Sequence, residues 1–230
     1  GVQTCALPIY ENKEWVWAYR ENEPMGGHDP YSNSKGCSEL VTSAYINSYF
    51  SDSASKTTVA SGRAGNVIGG GDWAEDRLIP DIIRSFSQNK EVFVRNPNSV
   101  RPWQHVLEPL SGYLTLAEKL YTDGQKYSGG WNFGPLDSDT KTVEQIVEQM
   151  CQVWGGSATW VKDNQKHPHE ANLLRLDCSK ARTLLNWQPV WNSEITLNKL
   201  TNWYKAYFEK QNMLGLTREQ IEEYMKDFKC

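Results

Sequence analysis

A tyrosine and a lysine four residues apart, Tyr31 and Lys35 in "DPYSNSK", are the pair whose spacing points most directly to joint chemistry. Asp29 and Pro30, just before them, read as a helix start: an aspartate accepts orphan backbone N–H groups, and proline fits the first helical position. On that helix Tyr31 and Lys35 share one face, a turn apart. A phenol is a poor base, and moving a tyrosine from about 10 towards 7 takes roughly 4 kcal/mol of preferential phenolate stabilisation. A neighbouring ammonium supplies part of this, so the pair can favour a phenolate, although on spacing alone it reads first as an exposed helical Tyr and Lys with no joint role.

The elements around the pair alternate between strand and helix. Leu40, Val41, Ala44, Tyr45 and Phe50 stand at helical spacing, which predicts a helix over 30–50. In "KTTVASGRAGNVIGGGDW" a β-prone run enters a glycine-rich loop whose backbone must bend tightly or approach something closely. "RLIPDIIRSF" begins another helix, and "KEVFVRNPNSVRPWQHV" reads as short extended pieces around a turn at 96–98. "LSGYLTLAEKLYT" is an amphipathic helix and "GGWNFGP" a short strand. "TVEQIVEQMCQVW" puts Val143, Ile146, Val147 and Met150 on one helical face. The remainder reads as mainly helical, with Thr217 and Gln220 at the spacing of a capping box. The pattern is α/β, more irregular in its second half.

Composition excludes several classes of function. A formal charge of −4 over 230 residues gives no general basic field for nucleic acid or anionic membrane, so a phosphorylated ligand has to be held by local cations. The five cysteines are scattered, odd in number and free of CxxC spacing, which argues against a disulfide framework and a zinc site and for a reducing cytoplasm. No apolar run approaches the roughly 20 residues that span a bilayer. The ten tryptophans are expected to serve mainly in core packing.

The order of the motifs "YSNSK", "RAGNVIGGGDW", "DRLIP", "RPWQHV", "WNFG" and "HPHEANLLRLDCSKA" resembles the extended short-chain dehydrogenase/reductase family of NAD-dependent sugar-nucleotide epimerases and dehydratases. The stretch "ENKEWVWAYRENEPMGGHDPYSNSKG" looks closest to the CDP-glucose branch of its 4,6-dehydratases. The resemblance runs from about Tyr10 to the C-terminus. It implies the C-terminal part of a Rossmann-like doubly wound sheet plus a smaller, mainly helical substrate-binding domain. Residues 10–66 are then a remnant of the NAD-binding domain, and 67–230 the sugar-nucleotide region, with about 104–135 packing back on the first part. Residues 1–9 do not fit and are expected to be a foreign leader. No G-x-G-x-x-G occurs in residues 1–60, and "ALPI" stands where the relatives carry a Thr/Ser, an acid and its partner. The chain by itself is therefore expected to be catalytically dead.

The resemblance also assigns roles. It implies a lyase that converts CDP-glucose to CDP-4-dehydro-6-deoxyglucose for cell-surface polysaccharide sugars, and a homodimer built partly on the Tyr31 helix. Tyr31 would take the proton of the sugar 4-hydroxyl, and Lys35 would also bond the nicotinamide ribose. Asn66 would hold sugar or phosphate oxygens, with Arg63 part of the same "RAGN" pattern. Arg77 and Arg101 would neutralise the diphosphate, since a guanidinium presents a planar fork to phosphate oxygens. His105 is either a ligand contact or a hydrogen-bonded structural histidine, and Glu170 would accept from ribose hydroxyls. Asp177 and Ser179 are expected to cap a helix. The competing readings are another NAD-dependent epimerase or dehydratase of the same fold, and a non-catalytic module that binds sugar nucleotide.

Overall fold

The structure, a computed structural model, describes residues 9–27, 29–52, 55–165 and 172–228. In chain order its elements are α1 (Pro30–Tyr45), β1 (Ala60–Ala64), β2 (Asn66–Ile68), α2 (Leu78–Ser87), β3 (Val92–Val94), β4 (Val100–Arg101), β5 (Trp103–His105), α3 (Leu107–Asp123), β6 (Gly129–Phe133), β7 (Lys141–Thr142), α4 (Val143–Trp154), β8 (Trp160–Lys162), α5 (Ser179–Leu185), α6 (Ser193–Phe208) and α7 (Met213–Asp227). Helix α1 begins as its sequence dictates: Asp29, in extended backbone, accepts the Ser32 N–H at 3.0 Å, and Pro30 takes the first position. Its last turn widens into a π turn over Ile46–Phe50.

The single β-prone run is in fact two strands. β1 pairs parallel with β6, Ala60 opposite Gly129 through Ala64 opposite Phe133, while β2 pairs parallel with β5, Asn66 opposite Trp103. Gly65 is the joint between them, and a Cβ there would collide with the Pro102 carbonyl. Two further pairs complete the described sheets, β3 with β8 in parallel and β4 with β7 antiparallel.

The apolar residues divide into two clusters. Ala64, Tyr113, Leu116, Trp131, Phe133 and Trp187 join β1 and β6 to α3 and to the segment after α5. Ile83 and Phe86 of α2, Met150 of α4, and Leu197 and Tyr204 of α6 pack beside β3. Trp131 and Trp187 are fully buried as expected, but Trp17 is 69% exposed. Ile9, assigned on sequence grounds to a leader, is a fully buried member of the first cluster, and its carbonyl accepts the Gly26 N–H at 2.8 Å. The packed chain therefore includes at least Ile9.

Two capping expectations are corrected. Helix α7 starts before Thr217, at Asn212, whose side chain accepts the Gly215 N–H at 3.1 Å. Thr217 instead accepts from the Trp203 indole, and Gln220 donates to the Lys199 carbonyl, so both bind α7 to α6. The capping box lies at Thr142 and Gln145, each side chain accepting the other's backbone N–H. Asp177 does support the start of α5, accepting the Ser179 N–H at 2.7 Å, while Cys178 occupies the cap position and Ser179 is already helical.

Candidate active site

A cleft of about 420 Å³ gathers residues from six elements and their connections: Tyr31 near the start of α1, Asn66 of β2, Arg77 just before α2, Arg95 just after β3, Arg101 of β4 and Trp103 of β5. Four of the residues singled out from sequence, Tyr31, Asn66, Arg77 and Arg101, thus line one space. Tyr31 is 58% exposed, and Lys35 stands a turn behind it. The helical spacing sets the ammonium 5.4 Å from the centre of the phenol ring.

What holds α1 in place is a buried polar network. Its inward face carries Ser32, Gly36 and Glu39, whereas Leu40, Val41 and Tyr45 are each more than half exposed. The apolar spacing that marks the helix therefore lies on its outer face. Glu39 accepts from Arg63 Nη2 at 2.8 Å and also bonds the Ser61 hydroxyl. Arg63 Nη1 donates to the Tyr10 hydroxyl (2.8 Å) and the Glu21 carbonyl (3.0 Å), and Tyr10 donates to Asn132 Oδ1 at 2.7 Å. Burial pushes the Tyr10 phenol up to about 12 against the pull of Arg63, so it stays a neutral donor. Arg63, 4% exposed, therefore binds the tyrosine helix to β1, and its part in "RAGN" is structural.

The three cleft arginines differ in what they hold. Arg77 Nη1 meets Asp72 Oδ2 at 2.9 Å, and Arg95 Nη2 meets Asp76 Oδ1 at 3.0 Å. Arg101 Nη1 donates to the Val100 carbonyl at 3.0 Å and the Asn172 carbonyl at 3.4 Å. Ser99, Arg101 and Trp103 line the cleft while Val100 and Pro102 do not, the alternation of an extended segment. That period of two was the sequence signal for Ser99 and Trp103. Arg95 had none, because it sits where a strand gives way to a turn.

His105 lies outside this lining. It is 2% exposed, its ring edge-on to Trp191, and its Nδ1 accepts the Leu107 N–H at 3.3 Å. Burial, aided by the charge of Lys199, pushes it down to about 4, so it is a neutral structural histidine. Its neighbour Glu108, fully buried, accepts the N–H groups of Val190 and Trp191 and the Tyr224 hydroxyl, binding the start of α3 to the C-terminal helices. Glu170 falls outside the described residues. Among the described residues no group of three His, Cys, Asp or Glu side chains is arranged to hold a metal ion, and no helix is long and apolar enough to cross a membrane.

The sequence model of a family described as GDP-mannose 4,6 dehydratase matches residues 12–200. The chain is 58% identical over 219 residues to a CDP-glucose 4,6-dehydratase of Salmonella typhimurium, covering 94% of this chain and 61% of that protein. It is 27% identical to a dTDP-glucose 4,6-dehydratase of Haemophilus influenzae, covering 81% and 55%. Among solved structures, a dTDP-glucose 4,6-dehydratase of Bacillus anthracis in complex with NAD superposes with a TM-score of 0.71 at 20% identity, over 91% of this chain and 63% of that one. A UDP-glucuronic acid 4-epimerase of Bacillus cereus, in complex with UDP-glucuronic acid and NAD, gives 0.76 at 18%, over 90% and 61%. These likenesses show a shared Rossmann-like α/β fold. The chain spans about three-fifths of the length of its nearer relative.

Proposed function

The chain belongs to the GDP-mannose 4,6-dehydratase family, and from that premise we propose that the protein carrying it is an NAD-dependent CDP-glucose 4,6-dehydratase, a lyase forming CDP-4-dehydro-6-deoxyglucose. The observation that carries the substrate assignment is the 58% identity to the Salmonella enzyme along 94% of the chain. The reaction assignment is supported by Tyr31 lining the cleft with Lys35 a turn behind it.

In this reading Tyr31 takes the proton of the sugar 4-hydroxyl. Lys35 favours the phenolate electrostatically and bonds the nicotinamide ribose. Both side chains fit such a cofactor, since Tyr31 is exposed on the cleft and Lys35 lies against its ring. NAD, when bound, supplies an acceptor for the C4 hydride and the hydride later delivered to C6. Asn66 holds sugar or phosphate oxygens, while Arg77 and Arg101 neutralise the diphosphate. Arg77 is available at little cost, because its partner Asp72 is held in an exposed ion pair.

Residues 10–66, with 104–135 packed on them, are read as the cofactor side and 67–230 as the sugar-nucleotide side; the two core clusters follow this division except that Leu174, Leu176, Cys178, Ala181, Leu185 and Trp187 pack with the first. A second subunit packs on the outer face of α1. The substrate assignment is tested by following 4-dehydro-6-deoxy product by NMR with CDP-glucose, dTDP-glucose, UDP-glucose and GDP-mannose. CDP-glucose should be preferred by at least about tenfold, the least that differential transition-state binding of one good contact supplies. A preference for another nucleotide would remove that assignment.

A further inference from the structure

Arg95 has no part in the reaction just described, yet it lines the same cleft as Tyr31, Asn66, Arg77 and Arg101. Its side chain is 47% exposed and that of its ion-pair partner Asp76 is 81% exposed. Asp76 has a φ of 60°, a left-handed backbone that few non-glycine residues adopt, and its carboxylate reaches Arg95 from the connection between β2 and α2. Exposed ion pairs of this kind contribute little, so the aspartate holds Arg95 in place without committing it.

The charges in the lining make such an arrangement useful. Arg77, Arg95 and Arg101 face Asp72, Asp76 and Asp81, so their formal charges cancel. Asp81 is occupied by Arg84, and Asp72 by Arg77. A phosphate presents more charge and more acceptor atoms to a guanidinium than a carboxylate does. Ser99, 2% exposed, lines the same cleft, and its hydroxyl has no partner among the described residues, a polar group that a bound ligand would satisfy.

We propose that Arg95 is an additional ligand-binding cation of this cleft and that Asp76 is its internal competitor, displaced from the guanidinium by a phosphate of the entering nucleotide. The inference rests on the reading of the cleft as a sugar-nucleotide site. It makes the cleft selective for ligands with enough negative charge to displace the aspartate, and it gives Arg95 and Asp76 opposite effects on affinity.

Isothermal titration calorimetry of the intact protein with CDP and CDP-glucose tests it. Arg95→Gln should weaken both ligands by about tenfold, the loss of one charge-assisted contact. Asp76→Asn should tighten them by about threefold, the relief of one exposed ion pair. Asp76→Asn made on the Arg95→Gln background should then change nothing, since the competitor has no cation left to occupy. If both single variants weaken binding alike, the pair is only a structural tie and the inference is overturned. If wild type binds and Arg95→Gln binds equally well, this inference falls while the reading of the cleft stands. If wild type binds neither ligand, both fall.

Discussion

Tyr31 is exposed while its supports are buried, and that contrast sets what single substitutions do. Glu39 and Arg63 form an ion pair with side chains only 7% and 4% exposed. Removing one partner strands a charge away from water, so Arg63→Gln or Glu39→Gln should cost roughly 3–5 kcal/mol in urea denaturation. His105 gives a test by pH. Its pKa is about 4 in the folded chain against an ordinary 6.5, so the unfolded chain binds more protons between these values. The contribution is fully present above about 6.5 and is lost as pH falls towards 4, a total of roughly 3 kcal/mol. Glu108, raised by burial, has the opposite sign and is unaffected by replacing His105. His105→Asn, which can still accept the Leu107 N–H, should therefore flatten the acid limb of stability between pH 7.5 and 4. An unchanged limb would show that His105 titrates normally.

At the level of elements, punctuation and periodicity carried most of what was readable. Asp29 and Pro30 marked the start of α1, and Val143, Ile146, Val147 and Met150 marked the inner face of α4, because caps and helical spacing are local properties. The capping-box spacing at Thr217 misled because Asn212 supplied an earlier cap, and tertiary contacts to α6 used both side chains instead. The division of one β-prone run into β1 and β2 was not readable, since their partners lie on β6 and β5, far along the chain. Gly65 is the local trace of that division. Gly65→Ala should destabilise the fold by about 1–3 kcal/mol through overpacking against the Pro102 carbonyl, measured by the denaturation midpoint. The exposed Leu40, Val41 and Tyr45 make a separate prediction for the proposed dimer. Val41→Glu should convert it to a monomer in light scattering without changing the fold, and a persistent dimer would move the interface elsewhere.

For the molecule as a whole, the residues that touch the cleft were more legible than those that hold it together. Tyr31, Asn66, Arg77 and Arg101 were recognisable from ordered motifs, and the structure brings them to one space. The role of Arg63 was hidden because its partners Glu39 and Tyr10 lie 24 and 53 residues away. His105 sat within a motif but faces Trp191 and the core, which its spacing could not reveal. The account turns on Tyr31 moving a proton for a sugar bound in this cleft. The most direct test is product formation from CDP-glucose by the intact protein carrying Tyr31→Phe, with ligand affinity measured in parallel. The account predicts that kcat falls by about 10²–10⁴, the contribution of a positioned acid–base group, while affinity for CDP-glucose changes little. Turnover at the wild-type rate would contradict it.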